Sequence, residues 1–372
     1  MRICLLSVEI FAWGKYGGFG RATRTIGREL AERGHEVYAV VPRRPGQKPV
    51  ESLDGMTVLS FPPRRSLAAT ELLRLADAHI YHSCEPSTAT YLASRTMPDR
   101  VHVVTCRDPR DWEDWKTEFA LPSRSRLRVV ANYLYENGPL VRWGVQRADA
   151  VYAAAKCLVP KAQAVYGLRT PPRFLPTPIV IPEVVRKAAE PTVCFVGRLD
   201  RRKRPEIFFA LAERFPHVRF TAVGASNDPA WDHYLRERYG SLPNLELRGF
   251  VDQFRTDELS QILGRSWIIV NTSAREGLPN SMLEAAAHRC AILSSVNPDG
   301  FGSEFGWHVQ DDDFERGLRW LLEEDRWRAC GEAAGRYVAE TFETGRTIER
   351  HLAAYRELLA ARGKENGSRS AV

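Results

Sequence analysis

No stretch of this 372-residue sequence approaches the ~20 consecutive apolar residues that a membrane-spanning helix requires, which removes transmembrane readings. It has no CxxC pair and no histidine cluster at metal-ligand spacing. Its seven cysteines (Cys4, Cys84, Cys106, Cys157, Cys194, Cys290, Cys330) are odd in number and dispersed. That pattern sets aside a disulfide framework and a structural zinc, and it fits a reducing, cytoplasmic compartment. Nothing repeats at a period of 20 to 50 residues. The net charge of +7 comes without a recognised nucleic-acid module or an aromatic-interleaved basic stripe, so nucleic acid is not an expected partner. The opening "MRICLLSVEIF" has a short apolar run and no small-residue cleavage site; it is read as a strand, not a signal peptide.

What is present is an alternation. Short runs rich in Val and Ile ("RICLLSV", "EVYAVV", "HIYHS", "VHVVTC", then "TVCFVG", "VRFTAVG", "LELRGF", "WIIVNTS", "CAILSS") are separated by helix-period segments. This is the pattern of parallel sheets with crossover helices, and the length favours two such domains. A helix over Arg21–Arg33 is expected to end at Gly34, and further helices are expected to start at Asp228–Pro229 and at Thr256. The proline-rich "PPRFLPTPIVIPEVV" is unsuited to helix interior or central strand. The expected organisation is therefore a domain over 1–173, a linker over 174–190, and a second domain over 191–345. Helices follow from Asp312 on, with a disordered tail over 364–372.

Ligands of such sheets bind beyond the carboxyl ends of the strands, and three loops there carry unusual chemistry. The first, "VEIFAWGKYGGFGRATR", joins glycines to a helix N-terminus and is suited to an anion. As a dinucleotide fingerprint it is poor, because Thr23 stands where a third glycine belongs and the glycines lie far from the strand. In the second, "VGRLDRRKRPE", Arg198 and Lys203 are candidates for a diphosphate, while Arg201, Arg202 and Arg204 are read as solvated. The third, "TSAREGLPNSMLEAAAH", places Glu276 in a loop and Glu284 in the following helix. Ser281 to Glu284 also has the form of a capping box, which gives Glu284 a purely local alternative role.

Taken together, Glu276-x7-Glu284, "GRLDRRK", "GGFGR" and "LPTPIVIP" resemble the family 4 retaining glycosyltransferases of the GT-B fold. The resemblance covers most of the chain. It implies an α/β architecture: two Rossmann-like, doubly wound parallel-sheet domains facing a central cleft, with a last helix, 346–363, returning to the first. It implies a nucleotide-diphosphate sugar as donor substrate, no cofactor and no metal. Arg198 and Lys203 would neutralise the diphosphate. Asn280 and Ser281 would present backbone N–H groups to it, and Gly277 and Leu278 are further substrate-binding positions. Glu276 would orient the transferred hexose, Glu284 would take the ribose hydroxyls, and the base would rest near Phe250 and Val251. Gly17 and Gly18 would face the cleft from the first domain.

Two departures from the family pattern stand out. Where the family commonly carries a histidine after "VVTC", this chain has Arg107, expected to bind substrate, and then Asp108, either a sugar- or acceptor-orienting carboxylate or a turn aspartate before Pro109. "VNPDGFGSEFG" replaces the family's Gly-Gly-x-x-E. The acceptor (glycan, lipid or small molecule) stays open. The basic stretch "FPPRRSLAATELLRL" suggests peripheral association with an anionic membrane at its inner face. A nucleotide-sugar epimerase and a non-catalytic nucleotide-sugar-binding protein are the alternatives.

Overall fold

The computed structural model describes residues 1–123 and 125–369 and divides the chain into two compact units. The first comprises Met1–Asp111, Ala131–Pro178 and the chain from Thr344 on; the second comprises Trp112–Val130 and Ile179–Glu343. The crossing at Pro178–Ile179 lies within the proline-rich stretch. An expected first domain running unbroken over 1–173 needs correction: Trp112–Val130 clusters with the second unit. Residues 364–369 fall within the last helix, Thr344–Arg369, and the remainder of the expected tail, 370–372, lies outside the described residues.

The first unit is built on β1 (Arg2–Leu6), β2 (Glu36–Pro42), β3 (Val50–Leu53), β4 (Met56–Phe61), β5 (Ile80–Ser83), β6 (Val101–Cys106), β7 (Ala150–Ala153) and β8 (Arg173–Phe174). They form one sheet in the order β3-β4-β2-β1-β5-β6-β7-β8. The β3–β4 pair is antiparallel and the others are parallel. Alternation along β1 sorts the core into two layers. Ile3 and Leu5 cluster with Ile26 and Leu30 and with Ile348, Leu352 and Tyr355 of the last helix. Cys4 and Leu6 cluster with Leu73, Ala76, Leu92 and Ala93 of helices Ala69–Ala76 and Thr88–Thr96. A strand buried on both faces has no polar alternate positions, which is why these strands read as continuous apolar runs.

The second unit holds β9 (Thr192–Val196), β10 (Arg219–Val223), β11 (Leu245–Gly249), β12 (Ile268–Asn271), β13 (Ala291–Ser294) and β14 (Gly306–His308). Their order is β11-β10-β9-β12-β13-β14, and every neighbouring pair is parallel. Phe208 meets Phe195 in a tilted pair and Phe220 edge to face within its core, which also holds the buried Trp327. Helix starts follow local chemistry. Asp228 accepts from the N–H groups of Ala230 and Trp231 ahead of Pro229, and Pro205 opens helix Pro205–Arg214. The helix expected from Thr256 starts at Glu258, with Asp257 at its N-cap position. The first helix, expected from Arg21, runs Gly18–Glu32, three residues earlier.

Candidate active site

In the second sheet β9 lies between β10 and β12, so successive connections leave it in opposite directions. The loops following β9 and β12 therefore open a crevice at the carboxyl edge, where such sheets bind ligands. Asp200 caps the turn Arg201–Lys203 by accepting from the Lys203 N–H at 3.1 Å. Thr272 Oγ1 sits 2.6 Å from the Lys203 carbonyl, and Ala274 N–H donates to the Arg202 carbonyl at 2.9 Å. These bonds fasten the two loops side by side.

Three of the expected residues meet there. The Lys203 ammonium is ion-paired with the Glu276 carboxylate, which also accepts from Ser273 Oγ at 2.8 Å. The Arg198 guanidinium reaches Asp200 at 3.2 Å and leaves its side chain 41% exposed, so it can still turn its fork to an incoming anion. Helix Asn280–Ala287 follows the second loop after Gly277 and Leu278, with Pro279 at the N-cap and no acid in its first turn. The N–H groups of Asn280 and Ser281 occupy first-turn positions, which have no intrahelical acceptor. The capping-box reading of Glu284 needs correction. The helix has already begun at Asn280, so Ser281 is not its N-cap, and Glu284 accepts instead from Gln253 Nε2 at 3.2 Å. Past β11, Phe250 is 46% exposed, with Val251 half-buried beside it.

Of the arginines expected to be solvated, Arg201 is exposed and lies over the Trp231 ring at 4.2 Å. The other two need correction. Arg202 is paired with the buried Glu118, and Arg204 donates to the Thr272 carbonyl at 2.6 Å and to Asp312 at 2.9 Å. The loop "VNPDGFGSEFG" forms the short helix Phe301–Glu304, with Asn297 Oδ1 accepting from the Gly302 and Ser303 N–H groups.

The first unit treats its strand ends differently. Gly17 is the N-cap residue of helix Gly18–Glu32, and the Gly20 N–H donates to Glu9 Oε1 at 3.1 Å. The Lys15 ammonium sits 3.2 Å from the other Glu9 oxygen. A Cβ at Gly17 would lie 1.9 Å from Glu9 Oε1, so the glycine admits the chain's own carboxylate. Within that loop the helix N-terminus expected to suit an anion is taken up by a buried carboxylate of the chain's own, Glu9. Arg107 is likewise bound internally, donating to the Cys84 carbonyl at 3.0 Å and to Thr177 Oγ1 at 2.6 Å. Asp108 pairs with Arg110 at 3.3 Å, and Arg110 reaches Glu136 at 3.1 Å.

Sequence reasoning missed the buried groups around Arg107. Glu85 accepts from the Arg107 backbone N–H at 3.0 Å, and burial followed by the nearby Asp108 pushes its carboxyl up to about 8. His82 bridges Tyr355 OH at 2.6 Å and Thr105 Oγ1 at 2.7 Å, and burial holds its imidazole well below the usual range. Also missed were Asp114, Glu118 and Arg275 of the second unit; nothing local in the sequence marks them as partners. Among the described residues, no group of three or more His, Cys, Asp or Glu side chains is placed to hold a metal ion. Nor is any helix among them long and apolar enough to cross a membrane.

Comparison with known proteins agrees with this arrangement. The model of glycosyltransferase family 4 matches residues 16–181, and that of the glycosyl transferases group 1 matches residues 190–324. The N-acetyl-alpha-D-glucosaminyl L-malate synthase of Bacillus anthracis is 21% identical over 169 residues, a match spanning 41% of this chain and 40% of that protein. In structure, the sucrose-phosphate synthase of Thermosynechococcus elongatus superposes with a TM-score of 0.74 at 17% identity, covering 96% of this chain and 99% of that one. Anabaena HepE, solved with UDP-glucose, gives a TM-score of 0.67 at 16% identity over 95% and 99% of the two chains. With two family models matched in succession along most of the sequence and two doubly wound sheets of this type, the chain belongs to glycosyltransferase family 4 and has the GT-B fold.

Proposed function

We propose that the protein transfers a hexose from a nucleotide-diphosphate sugar to an acceptor hydroxyl with retention of anomeric configuration. The observation that carries this reading is the grouping of Lys203, Glu276 and Arg198 on the loops at the β9/β12 switch point, next to the start of helix Asn280–Ala287. Two cations and a helix N-terminus suit a diphosphate, and a carboxylate among them suits the neutral hydroxyls of the sugar it carries. Glu284 takes the ribose hydroxyls, and the base lies on Phe250 and Val251. Anabaena HepE, a structural neighbour, was solved with a donor of this class, UDP-glucose.

In the reaction the bond between the anomeric carbon and the diphosphate oxygen breaks, and the acceptor oxygen bonds to that carbon on the same face. The acceptor proton passes to the departing diphosphate oxygen. Charge on that oxygen grows toward the transition state, where Arg198, Lys203 and the helix N–H groups stabilise it. These groups supply the positive charge the leaving group needs, so the reading includes neither metal nor cofactor. Asp108, held by Arg110, remains the candidate carboxylate on the first unit for orienting sugar or acceptor, and Gly17 and Gly18 remain candidates to approach the donor through backbone. The Arg107 side chain, being buried and bound, acts by holding that loop.

Incubation with UDP-, GDP-, ADP- and dTDP-sugars tests the reading. Release of nucleoside diphosphate, slow with water and accelerated by an acceptor, is expected; an epimerised donor, or binding without turnover, would replace it. A second part of the proposal concerns place of action. The seven cysteines are all free, which supports a reducing compartment. Leu67 and Leu75 are 76% and 62% exposed near the exposed Arg64, Arg65 and Arg74, which supports peripheral docking on anionic lipid. Co-sedimentation with vesicles that does not depend on anionic lipid would remove the docking.

A further inference from the structure

Helix Trp112–Ala120 comes from the first third of the sequence yet clusters with the second unit. Its buried Glu118 accepts from Arg202, which it meets in an ion pair, and from Arg275 Nη1 at 3.2 Å. Asp114, one turn earlier on the same helix, accepts from Arg275 Nε at 3.1 Å. Arg202 immediately precedes Lys203, and Arg275 immediately precedes Glu276. In each loop, then, one residue enters the Lys203–Glu276 pair while its neighbour is gripped by the helix.

We infer that Glu118 is a positioning residue for the candidate donor site: by bridging Arg202 and Arg275 it sets the spacing and orientation of the two loops that present Lys203 and Glu276. The inference rests on the donor-site reading above. Arg202 and Arg275 are two guanidinium groups brought to one place with little solvent, their side chains 13% and 7% exposed. Such a like-charged pair holds together only when a carboxylate neutralises it, so the bridge determines how closely the loops approach. The Ala274 bond to the Arg202 carbonyl and the Thr272 and Arg204 bonds tie the backbones of the loops, and the Glu118 bridge adds a side-chain tether that fixes Arg202 against Arg275. Lys203 and Glu276 need that restraint, because a small misplacement of charge at a transferring phosphate is costly in rate.

The test uses the full chain with Glu118→Gln, with Arg202→Lys, which keeps the charge but loses the fork, and with Lys116→Ala as a surface control on the same helix. Affinities for UDP, GDP, ADP and dTDP are measured against those for the matching nucleosides, alongside transfer kcat, donor KM and melting temperature. Glu118→Gln is expected to weaken diphosphate binding roughly tenfold and to lower kcat further, with nucleoside affinity unchanged, because it disturbs the phosphate-facing loops only. Arg202→Lys should show a smaller loss of the same kind even if Glu118→Gln does not fold, and Lys116→Ala should match the wild type. Diphosphate affinity within twofold of wild type in Arg202→Lys, or nucleoside and diphosphate affinity falling together in step with melting temperature, would overturn the inference. A wild-type protein with no preference for the diphosphate would overturn the donor-site reading itself.

Discussion

The carboxyl edges of the two sheets make opposite use of similar parts. In the first unit the helix N-terminus after β1 is filled by Glu9, and Arg107 after β6 is bound to a carbonyl and a threonine. In the second unit the helix N-terminus after β12 has no acid in its first turn, and Arg198 after β9 keeps two-fifths of its side chain exposed. Both edges pair their charges within the chain, but the first does so in buried positions, whereas Arg198 of the second is paired with Asp200 and stays exposed enough for a ligand to recruit it. Doubly wound topology supplies a crevice in both cases; the side chains decide which of them accepts a phosphate.

The largest effect that sharpens this contrast is expected from Arg198→Ala combined with Lys203→Ala. Loss of both cations should lower kcat by about 10²–10³-fold, over and above the loss of diphosphate affinity, as for other groups that stabilise a developing oxyanion. Next, Glu284→Gln should weaken donor binding by about 1–3 kcal/mol, the cost of degrading a charged hydrogen bond, with melting temperature nearly unchanged. Loss of stability alone would return Glu284 to a local role.

The first unit should respond in stability, not in ligand affinity. The Glu85 carboxyl is raised to about 8 in the folded chain, so the folded state holds its proton more tightly than the unfolded state does. That contribution to stability is complete below the ordinary carboxylate range and is lost as pH rises through about 8. Denaturant melts of Glu85→Gln should therefore show a shallower decline from pH 5 to 8 than the wild type, and an identical slope would contradict the assignment. The smallest expected effect is that of Glu9→Gln, about 1 kcal/mol of stability from a weakened helix cap, with nucleoside diphosphate affinity unchanged.

The nine apolar runs quoted from the sequence all became strands; most lie inside a sheet and are covered on both faces, which favours apolar runs, whereas the edge strand β11 alternates buried and exposed positions. The β3–β4 hairpin was missed although Asp54-Gly55, with φ of 49° and 79°, is a strong turn signal. β7, β8 and β14, of four, two and three residues, are too short to show a period. Lys203 and Glu276 were legible because each lies just past a strand, where unusual charge stands out. Glu118 was not: it meets Arg202 and Arg275 from 84 and 157 positions away, and ordinary helix spacing gives no sign of that pairing. Glu9 was hidden for a related reason, since its carboxylate folds back on a helix that starts before the position the pattern suggested.

The most direct test of the account is the ratio of nucleoside diphosphate affinity to nucleoside affinity, measured by titration calorimetry on the wild type, on Arg198→Ala/Lys203→Ala and on Glu9→Gln. The account predicts a diphosphate preference of at least roughly 100-fold, about 2.7 kcal/mol, in the wild type and in Glu9→Gln, and its collapse in the double variant. A preference that survives loss of both cations, or one that disappears with Glu9, would place the phosphates at the wrong sheet.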